Sequence, residues 1–290
     1  MSDLQWSWKK DSSEATEFIT LVRTTLPLLP NLKDLGVFGA ALTEDPSFPF
    51  TLDSLVLTTP SSNSAWDFLR AQKSLTYLDL RQNTRGIGCF SPETIPNTLL
   101  LPKLTTLKAC PEVFAALAPR HAITYIHLQE CGRNRYGRSV DGVVTALNHD
   151  QLSRSLRTLR VEVVYRTFQS MCCVDFVQYL ASTKASTTLV KLVLVKSFLD
   201  YSPHLPDARS PKPLSLLPKL LHGFSNLRHL IVEDTRREHV AIARSPSGDG
   251  LRELLDSIIE QAGGPELWAA YCPGLVEVEI YGSRLLLSPP

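Results

Sequence analysis

The sequence lacks a dominant charge of either sign. Lys and Arg together number 30, Asp and Glu number 29, and the formal net charge is +1. Proteins that bind nucleic acid or anionic membranes without specificity carry an excess of basic residues, because neutralising phosphate supplies most of that affinity. We therefore expect neither a nucleic-acid partner nor a membrane partner.

Long apolar runs are also missing. No stretch of about 18 apolar residues occurs, which is the length that a membrane-spanning helix requires. The first residues include an early acid, Asp3, and do not follow the basic-then-apolar order of a secretory signal. The sequence therefore predicts a cytoplasmic or nuclear protein.

Cysteine is scarce, and its spacing is irregular. A disulfide framework or a zinc site would need regular pairs such as CxxC, and the sequence contains none. Free thiols in a reducing compartment are the simplest interpretation. The six cysteines are Cys89, Cys110, Cys131, Cys172, Cys173 and Cys272.

The sequence has no recognisable catalytic motif. It contains no GxSxG elbow, P-loop or GxGxxG fingerprint, and its histidines form no HExxH or HxH pair. We interpret each histidine as a surface or turn residue and predict a non-enzyme with no metal and no cofactor. The seven histidines are His121, His127, His149, His204, His222, His229 and His239.

One pattern recurs along nearly the whole chain: apolar-x-x-apolar-x-apolar. A single copy is a weak signal, because any core strand can supply it, but many copies in order indicate a repeat protein. Met1/Leu4/Trp6 fits as an incomplete first copy. The complete copies are Leu32/Leu35/Val37, Leu52/Leu55/Leu57, Leu75/Leu78/Leu80, Leu104/Leu107/Ala109, Ile123/Ile126/Leu128, Leu156/Leu159/Val161, Leu189/Leu192/Leu194, Leu227/Leu230/Val232 and Leu275/Val278/Ile280.

Each copy predicts a short β-strand followed by a helix. The last two apolar residues of a copy are two positions apart, so they share one face of a strand, and the residues beside them point the other way. Between copies, apolar residues recur at helical spacing, as in the segments 173–181 and 251–259. Strands joined through helices pair in parallel.

The polarity of the outward strand positions separates two α/β architectures. A doubly wound sheet is covered on both faces and needs nearly continuous apolar strands. Here the outward positions, such as Tyr77, His127 and Arg160, are mostly polar. We therefore predict an α/β solenoid of horseshoe shape, with a parallel sheet on the concave face and helices on the convex face.

Two copies carry a longer consensus. The segments 75–83 and 123–131 both read LxxLxLxxN/C, and the junctions Leu29-Pro30-Asn31-Leu32 and Leu101-Pro102-Lys103-Leu104 place Pro-x-Leu after a helix. In these features the chain resembles the leucine-rich-repeat regions of F-box proteins, particularly the fungal set. The resemblance implies a single domain over residues 1–290 with about nine to ten irregular repeats.

In that family the repeats hold a substrate, while an F-box helix bundle docks on a ubiquitin ligase. The resemblance thus implies a protein-binding scaffold and, in a narrower form, the substrate-recognition part of a ligase receptor. No F-box-like helix precedes the repeats here, so we expect no ligase adaptor to bind unless an upstream segment supplies one. The alternative is a truncated or non-functional repeat remnant without independent activity.

The outward positions form the candidate binding site, and we expect a monomer that binds a protein there. Early strands carry small or polar residues, whereas Val193, Val195 and Ile231 form an apolar patch with charges around it. Alternatively, these three satisfy β propensity or lie under the segment 197–213. The predicted partner-binding residues are Tyr77, Asp79, Arg81, Lys108, Tyr125, His127, Gln129, Arg160, Glu162, Lys191, Val193, Val195, His229, Ile231, Glu277 and Glu279.

A second group of candidates lies after the strands. If the register is right, several arginines share the rim at the carboxyl ends of the strands and could hold phosphate or carboxylate groups. Asp200, Asp234 and Glu238 share that rim, so a solvated mixture of charges is the alternative. The arginines are Arg81, Arg85, Arg133, Arg135, Arg138, Arg166, Arg236 and Arg237.

Overall fold

A computed structural model describes most of the repeat region. The described residues are 13–38, 42, 48–58, 63–81, 95–96, 99–129, 139–162, 173–197, 213–235, 237–245 and 248–287. They form an α/β structure around one ten-stranded sheet, whose strands follow one another in chain order. The incomplete copy Met1/Leu4/Trp6 lies outside the described residues.

The nine complete copies of the repeat all form strands. In the strands of the second to ninth copies the apolar positions of the pattern are buried and the residues beside them are in most cases partly exposed, because successive side chains of a strand alternate between its faces. The strands are β1 Asp34–Phe38, β2 Ser54–Thr58, β3 Tyr77–Arg81, β4 Thr106–Ala109, β5 Tyr125–Leu128, β6 Thr158–Glu162, β7 Lys191–Val195, β8 His229–Glu233, β9 Glu277–Ile280 and β10 Ser283–Leu286.

Helices connect the strands at the predicted stripes. The apolar spacing at 173–181 and 251–259 gives α6 and α9, and Pro111 opens α3, where its missing N–H has no helical partner to lose. The α-helices of the described part are α1 Ser13–Thr25, α2 Asn63–Ala71, α3 Pro111–Leu117, α4 Ser139–Leu147, α5 Asp150–Ser155, α6 Cys173–Ala181, α7 Leu217–Leu220, α8 Arg237–Ala243, α9 Asp249–Gln261 and α10 Pro265–Tyr271.

A repeated backbone contact keeps successive strands in register. The carbonyl of Lys33 accepts the N–H groups of Asp53 and Ser54 at 2.9 and 3.1 Å, and one carbonyl accepts two N–H groups in this way at each junction up to β9. The first strand residues therefore align across the parallel sheet, as the pairings from β1 to β9 confirm. The other accepting residues are Asp53, Thr76, Thr105, Thr124, Arg157, Val190 and Arg228.

The core lies on one side of the sheet. The pattern leucines of the strands and the apolar side chains of the helices belong to one hydrophobic cluster, which includes Leu55, Leu159, Phe114 and Trp268. Burying one such side chain fully contributes about 1.5–3 kcal/mol, so this layer is the main source of stability. The opposite side of the sheet carries the partly exposed residues.

The last strand corrects the expectation that all strands are parallel. β10 pairs antiparallel with β9, and Ser283 lies opposite Ile280. The two residues between these strands, Tyr281 and Gly282, have positive φ values of 49° and 80°. A two-residue loop with both φ angles positive is a type I′ hairpin turn, which matches the twist of an antiparallel pair.

The two ends of the sheet differ. Leu32 and Leu35 in the first unit are only partly buried, whereas the matching Leu52 and Leu55 of the next unit are both 0% exposed. The Lys33 carbonyl accepts two N–H groups of the following unit, but among the described residues no carbonyl accepts the N–H of Lys33 itself. The antiparallel hairpin covers the β9 end, and the described structure has no equivalent cover on β1.

His121 is a turn residue, as predicted, but it is not on the surface. It lies in the turn before β5 but is only 3% exposed. Its Nε2 accepts the Leu101 N–H at 3.0 Å, while its Nδ1 lies 2.7 Å from the Leu117 carbonyl. These contacts require a neutral ring with the proton on Nδ1. Through them His121 joins two repeat units. Gln72 plays a similar part elsewhere in the sheet, where its side chain accepts the Leu52 N–H.

We predict a pH-dependent stability that depends on His121. Burial lowers the pKa of His121 below 6.5. The hydrogen bond with the Leu117 carbonyl raises this pKa by a smaller amount, and the charge of Arg120 lowers it further. The unfolded chain therefore takes up this proton first, so stability is full above pH 6.5 and falls as the pH drops from there towards the lowered pKa. Urea unfolding between about pH 7.5 and about pH 5.5 measures this loss.

The substitution His121→Gln separates the histidine from other titrating groups. Glutamine retains an acceptor for the Leu101 N–H, as Gln72 does at the equivalent junction, and it cannot titrate. We expect a flatter pH dependence in this variant, whereas His222→Gln, which changes an exposed histidine, should follow the original protein. An unchanged slope in His121→Gln would contradict the prediction.

None of the helices in the described part of the chain combines the length and the apolar content that a bilayer crossing requires.

Candidate protein-binding face

The side of the sheet opposite the core forms one continuous surface, which we call the open face. The strand pairings arrange its residues in rows that run across the strands, with neighbours in a row about 4.8 Å apart. The first row contains Ser54, Tyr77, Thr106, Tyr125, Thr158, Lys191, His229 and Glu277, and the second contains Val56, Asp79, Lys108, His127, Arg160, Val193, Ile231 and Glu279.

A buried carboxylate holds three strands together at the β3 end of the open face. The side chain of Asp79 is 0% exposed, and its Oδ2 lies 3.3 Å from the Lys108 Nζ on β4. Its Oδ1 accepts a hydrogen bond of 3.0 Å from Gln129, the residue that follows β5. Asp79 was predicted to bind a partner from an exposed position. The predicted exposure is not observed, because the Asp79 oxygens contact a lysine and a glutamine from other units of the sheet.

A histidine–glutamate pair and an arginine–glutamate ion pair occupy the centre of the open face. The Nε2 of His127 on β5 lies 2.9 Å from the Glu162 Oε1 on β6. Arg160 on β6 donates from Nη2 to the Glu233 Oε2 on β8 at 2.8 Å. β6 and β8 are not neighbours, since β7 lies between them. The Arg160–Glu233 pair therefore spans roughly 10 Å and passes above β7.

The Arg160–Glu233 pair passes over β7, a strand with buried residues on both faces of the sheet. Val193 lies in the row of Arg160, and Val195 lies in the row of Glu233. Both valines are 4% exposed. The prediction that Val193 and Val195 form an exposed apolar patch is wrong, while Ile231 on β8 is partly exposed as expected. Residues 198–212 of the segment 197–213, which was the alternative cover, lie outside the described residues.

Charges are also paired at the β9 end. The Nδ1 of His229 lies 3.3 Å from the Glu277 Oε2. Arg284 on β10 approaches both glutamates of β9, with its Nε 3.6 Å from Glu277 and 3.0 Å from Glu279. Because β10 runs antiparallel, Arg284 lies opposite Glu279 on the open face. Most charges of the open face are therefore neutralised within the sheet.

The remaining predicted residues line the middle of the first row. Tyr77, Tyr125 and Lys191 are partly exposed. Partial burial raises the pKa of Tyr125 above 10.0; the Arg160 charge opposes this shift and the Glu233 charge reinforces it. The Tyr125 phenol thus stays neutral near pH 7 and can donate or accept a hydrogen bond.

No protein-family model matches this chain, and no curated protein sequence matches it.

Sequence reasoning missed two residues of the open face. Glu233 occupies the strand position that gave Glu162 and Val195, directly after the last apolar residue of its repeat, so the same register would have placed it. Arg284 could not be placed by the repeat pattern, because it belongs to the antiparallel β10. Both residues neutralise charges that the sequence alone presents as available to a partner.

The predicted arginine rim lies almost entirely outside what the structure describes. The side chain of Arg81 is among those not described, and so are Arg85, Arg133, Arg135, Arg138, Arg166 and Arg236 and the side chain of Arg237. Asp234 is described on this rim, where it is 5% exposed and its Oδ1 lies 3.4 Å from the Nδ1 of His239. Within the described ranges, no three His, Cys, Asp or Glu residues are placed to hold a metal ion.

Proposed function

We propose that this chain is a leucine-rich-repeat solenoid that binds a protein on the open face. The single observation that carries the proposal is the layout of that face. Side chains of successive parallel strands stand there in aligned rows, partly exposed, while the other side of the sheet is fully packed. A sheet covered on one side only offers a rigid surface of the kind that repeat proteins use for binding.

The surface has the size and composition of a protein interface. Seven strands from β3 to β9 extend over roughly 30 Å, which accommodates a standard contact of about 800 Å² per partner. Tyr77, Tyr125 and Arg160 belong to the residue types that dominate binding energy at interfaces. The cross-strand pairs also hold many of the side chains in fixed positions, which lowers the entropy lost on binding.

The proposal has a narrower form, in which the partner is a substrate presented to a ubiquitin ligase. It rests on the resemblance of the repeat junctions to those of F-box proteins. Co-purification of ubiquitin-ligase subunits with the full chain tests this form, and their absence alongside a captured partner would leave only the broader form.

Two matched pairs of substitutions test the broader form. Tyr125→Ala and Ile231→Ala change the open face, while Tyr179→Ala and Ile242→Ala change helix residues that are 48% and 49% exposed. We expect affinity capture with the full chain to lose its partner with the first pair only, by about tenfold or more for a central tyrosine. Thermal unfolding checks that all four variants fold.

The capture experiment contradicts the proposal in two ways. Loss of the partner with Tyr179→Ala or Ile242→Ala, and not with the open-face variants, would move binding to the helices. Capture of the same proteins by the original chain and by the combined Tyr125→Ala and Ile231→Ala variant would show that the open face is not a binding surface.

A further inference from the structure

Lys191 differs from the other charged residues of the open face. The ammonium group of Lys108 and the guanidinium groups of Arg160 and Arg284 each meet a carboxylate on another strand. Glu162 and Glu277 are likewise held by His127 and His229. Among the described side chains that β3–β9 place on this face, Lys191 is the one cation without a carboxylate in ion-pair contact.

The neighbours of Lys191 offer no hidden counterion. In the first row it stands between Thr158 and His229, and the next residue beyond Thr158 is Tyr125. The nearest carboxylate in that row belongs to Glu277, two strands away, where His229 and Arg284 already hold it. The row from Tyr77 to Lys191 otherwise carries only hydroxyl side chains, which can donate hydrogen bonds to an anion.

We propose that the partner of the open face presents an aspartate or glutamate side chain to Lys191. This inference rests on the proposed function and specifies the chemistry of its partner. The carboxylate would meet the Lys191 ammonium, with the Thr158 hydroxyl and the His229 ring on either side. Because Lys191 is partly buried, its attraction for an anion is screened less than that of a fully exposed lysine.

The same geometry excludes a basic partner at this position. A lysine or arginine brought opposite Lys191 would meet a cation whose charge nothing in the described sheet neutralises. Like charges placed opposite each other across an interface disfavour the complex strongly. The charge of this one residue thus selects among partners, while the paired charges around it contribute mainly to the shape of the surface.

A charge-reversal selection tests the inference. A displayed library of random decapeptides is selected against the immobilised full chain in its original form, as Lys191→Glu and as Lys103→Glu. Lys103 is an exposed turn lysine away from the open face and serves as the matched control. We expect Asp or Glu to be enriched at one peptide position with the original chain and the control, and Lys or Arg with Lys191→Glu.

A binding cycle with one selected peptide then measures the contact. Replacing its acidic residue with the neutral amide should weaken binding about tenfold, Lys191→Met should weaken it by a similar factor, and the two changes together should add little. Peptides that bind all three proteins with the same composition, or a fully additive cycle, would overturn the inference and leave the proposed function standing. Selected peptides that are insensitive to Lys191→Glu and also bind the combined Tyr125→Ala and Ile231→Ala variant as well as the original chain would overturn the proposed function itself.

Discussion

The substitution Val193→Glu is expected to lower the free energy of unfolding by about 3–5 kcal/mol, or to prevent folding. Val193 is 4% exposed, although it lies on the side of the sheet opposite the core. A glutamate at position 193 would be a buried carboxylate beneath the Arg160–Glu233 pair. The Arg160 guanidinium is already paired with Glu233, so it would not compensate the new charge. Urea unfolding at neutral pH measures the change.

Ile231→Glu is the matched control for this prediction. Ile231 lies beside Val193 in the same row, on the next strand, but it is only partly buried. A carboxylate at this position retains access to water, so we expect a cost of about 1 kcal/mol. If Val193→Glu unfolds with the same midpoint as Ile231→Glu, then the ion pair does not cover β7, and Val193 belongs to an exposed apolar patch after all.

The second large effect concerns the buried carboxylate of Asp79. Lys108→Met is expected to lower the free energy of unfolding by about 3 kcal/mol, because it removes the cation that faces a side chain with 0% exposure. The hydrogen bond from Gln129 remains and keeps the cost at the lower end of the usual range. Chemical denaturation of the full chain measures this loss.

Removing the charge of Asp79 should restore stability to the Lys108→Met variant. Asp79→Asn is nearly isosteric, and in that background it replaces a buried anion that has lost the Lys108 cation with a neutral amide. We expect the double variant to be more stable than Lys108→Met alone, whereas Lys103→Met, which changes an exposed lysine, should have no effect. A double variant less stable than Lys108→Met would show that the unfavourable charge is not the cause.

Both predictions describe an open face that its own charges stabilise. Asp79, Arg160 and Glu233 make contacts between strands. Substituting them would therefore destabilise the sheet as well as change any contact with a partner. Variants that probe binding are better made at Tyr125, Ile231 and Lys191, which are partly exposed and belong to none of the ion pairs described on the open face.

The sequence predicted the sheet well and the open face only in part. All nine repeat copies became strands, and the parallel register followed, because an apolar pair two residues apart can be buried on only one face of a strand. Twelve of the sixteen predicted binding residues could also be placed by simple alternation as partly exposed, including Tyr125 and His127. Asp79, Val193 and Val195 could not, because their burial depends on side chains from other strands.

The antiparallel β10 shows a second limit of repeat reasoning. Tyr281 and Gly282 follow the last repeat, and a glycine after a strand is a known turn signal. The repeat pattern, however, predicts only parallel strands. The hairpin brings Arg284 back against Glu277 and Glu279. The repeat pattern alone therefore presents Glu277 and Glu279 as charges available to a partner.

The sequence by itself determined which residues face the core, since the period of two along a strand is a property of consecutive residues and backbone geometry. Only the tertiary structure decided which outward residues remain accessible. Arg160 meets Glu233 across 73 positions of sequence, and Gln129 meets Asp79 across 50. Such contacts depend on how strands far apart in the chain stack, and no local pattern of residues encodes that distance.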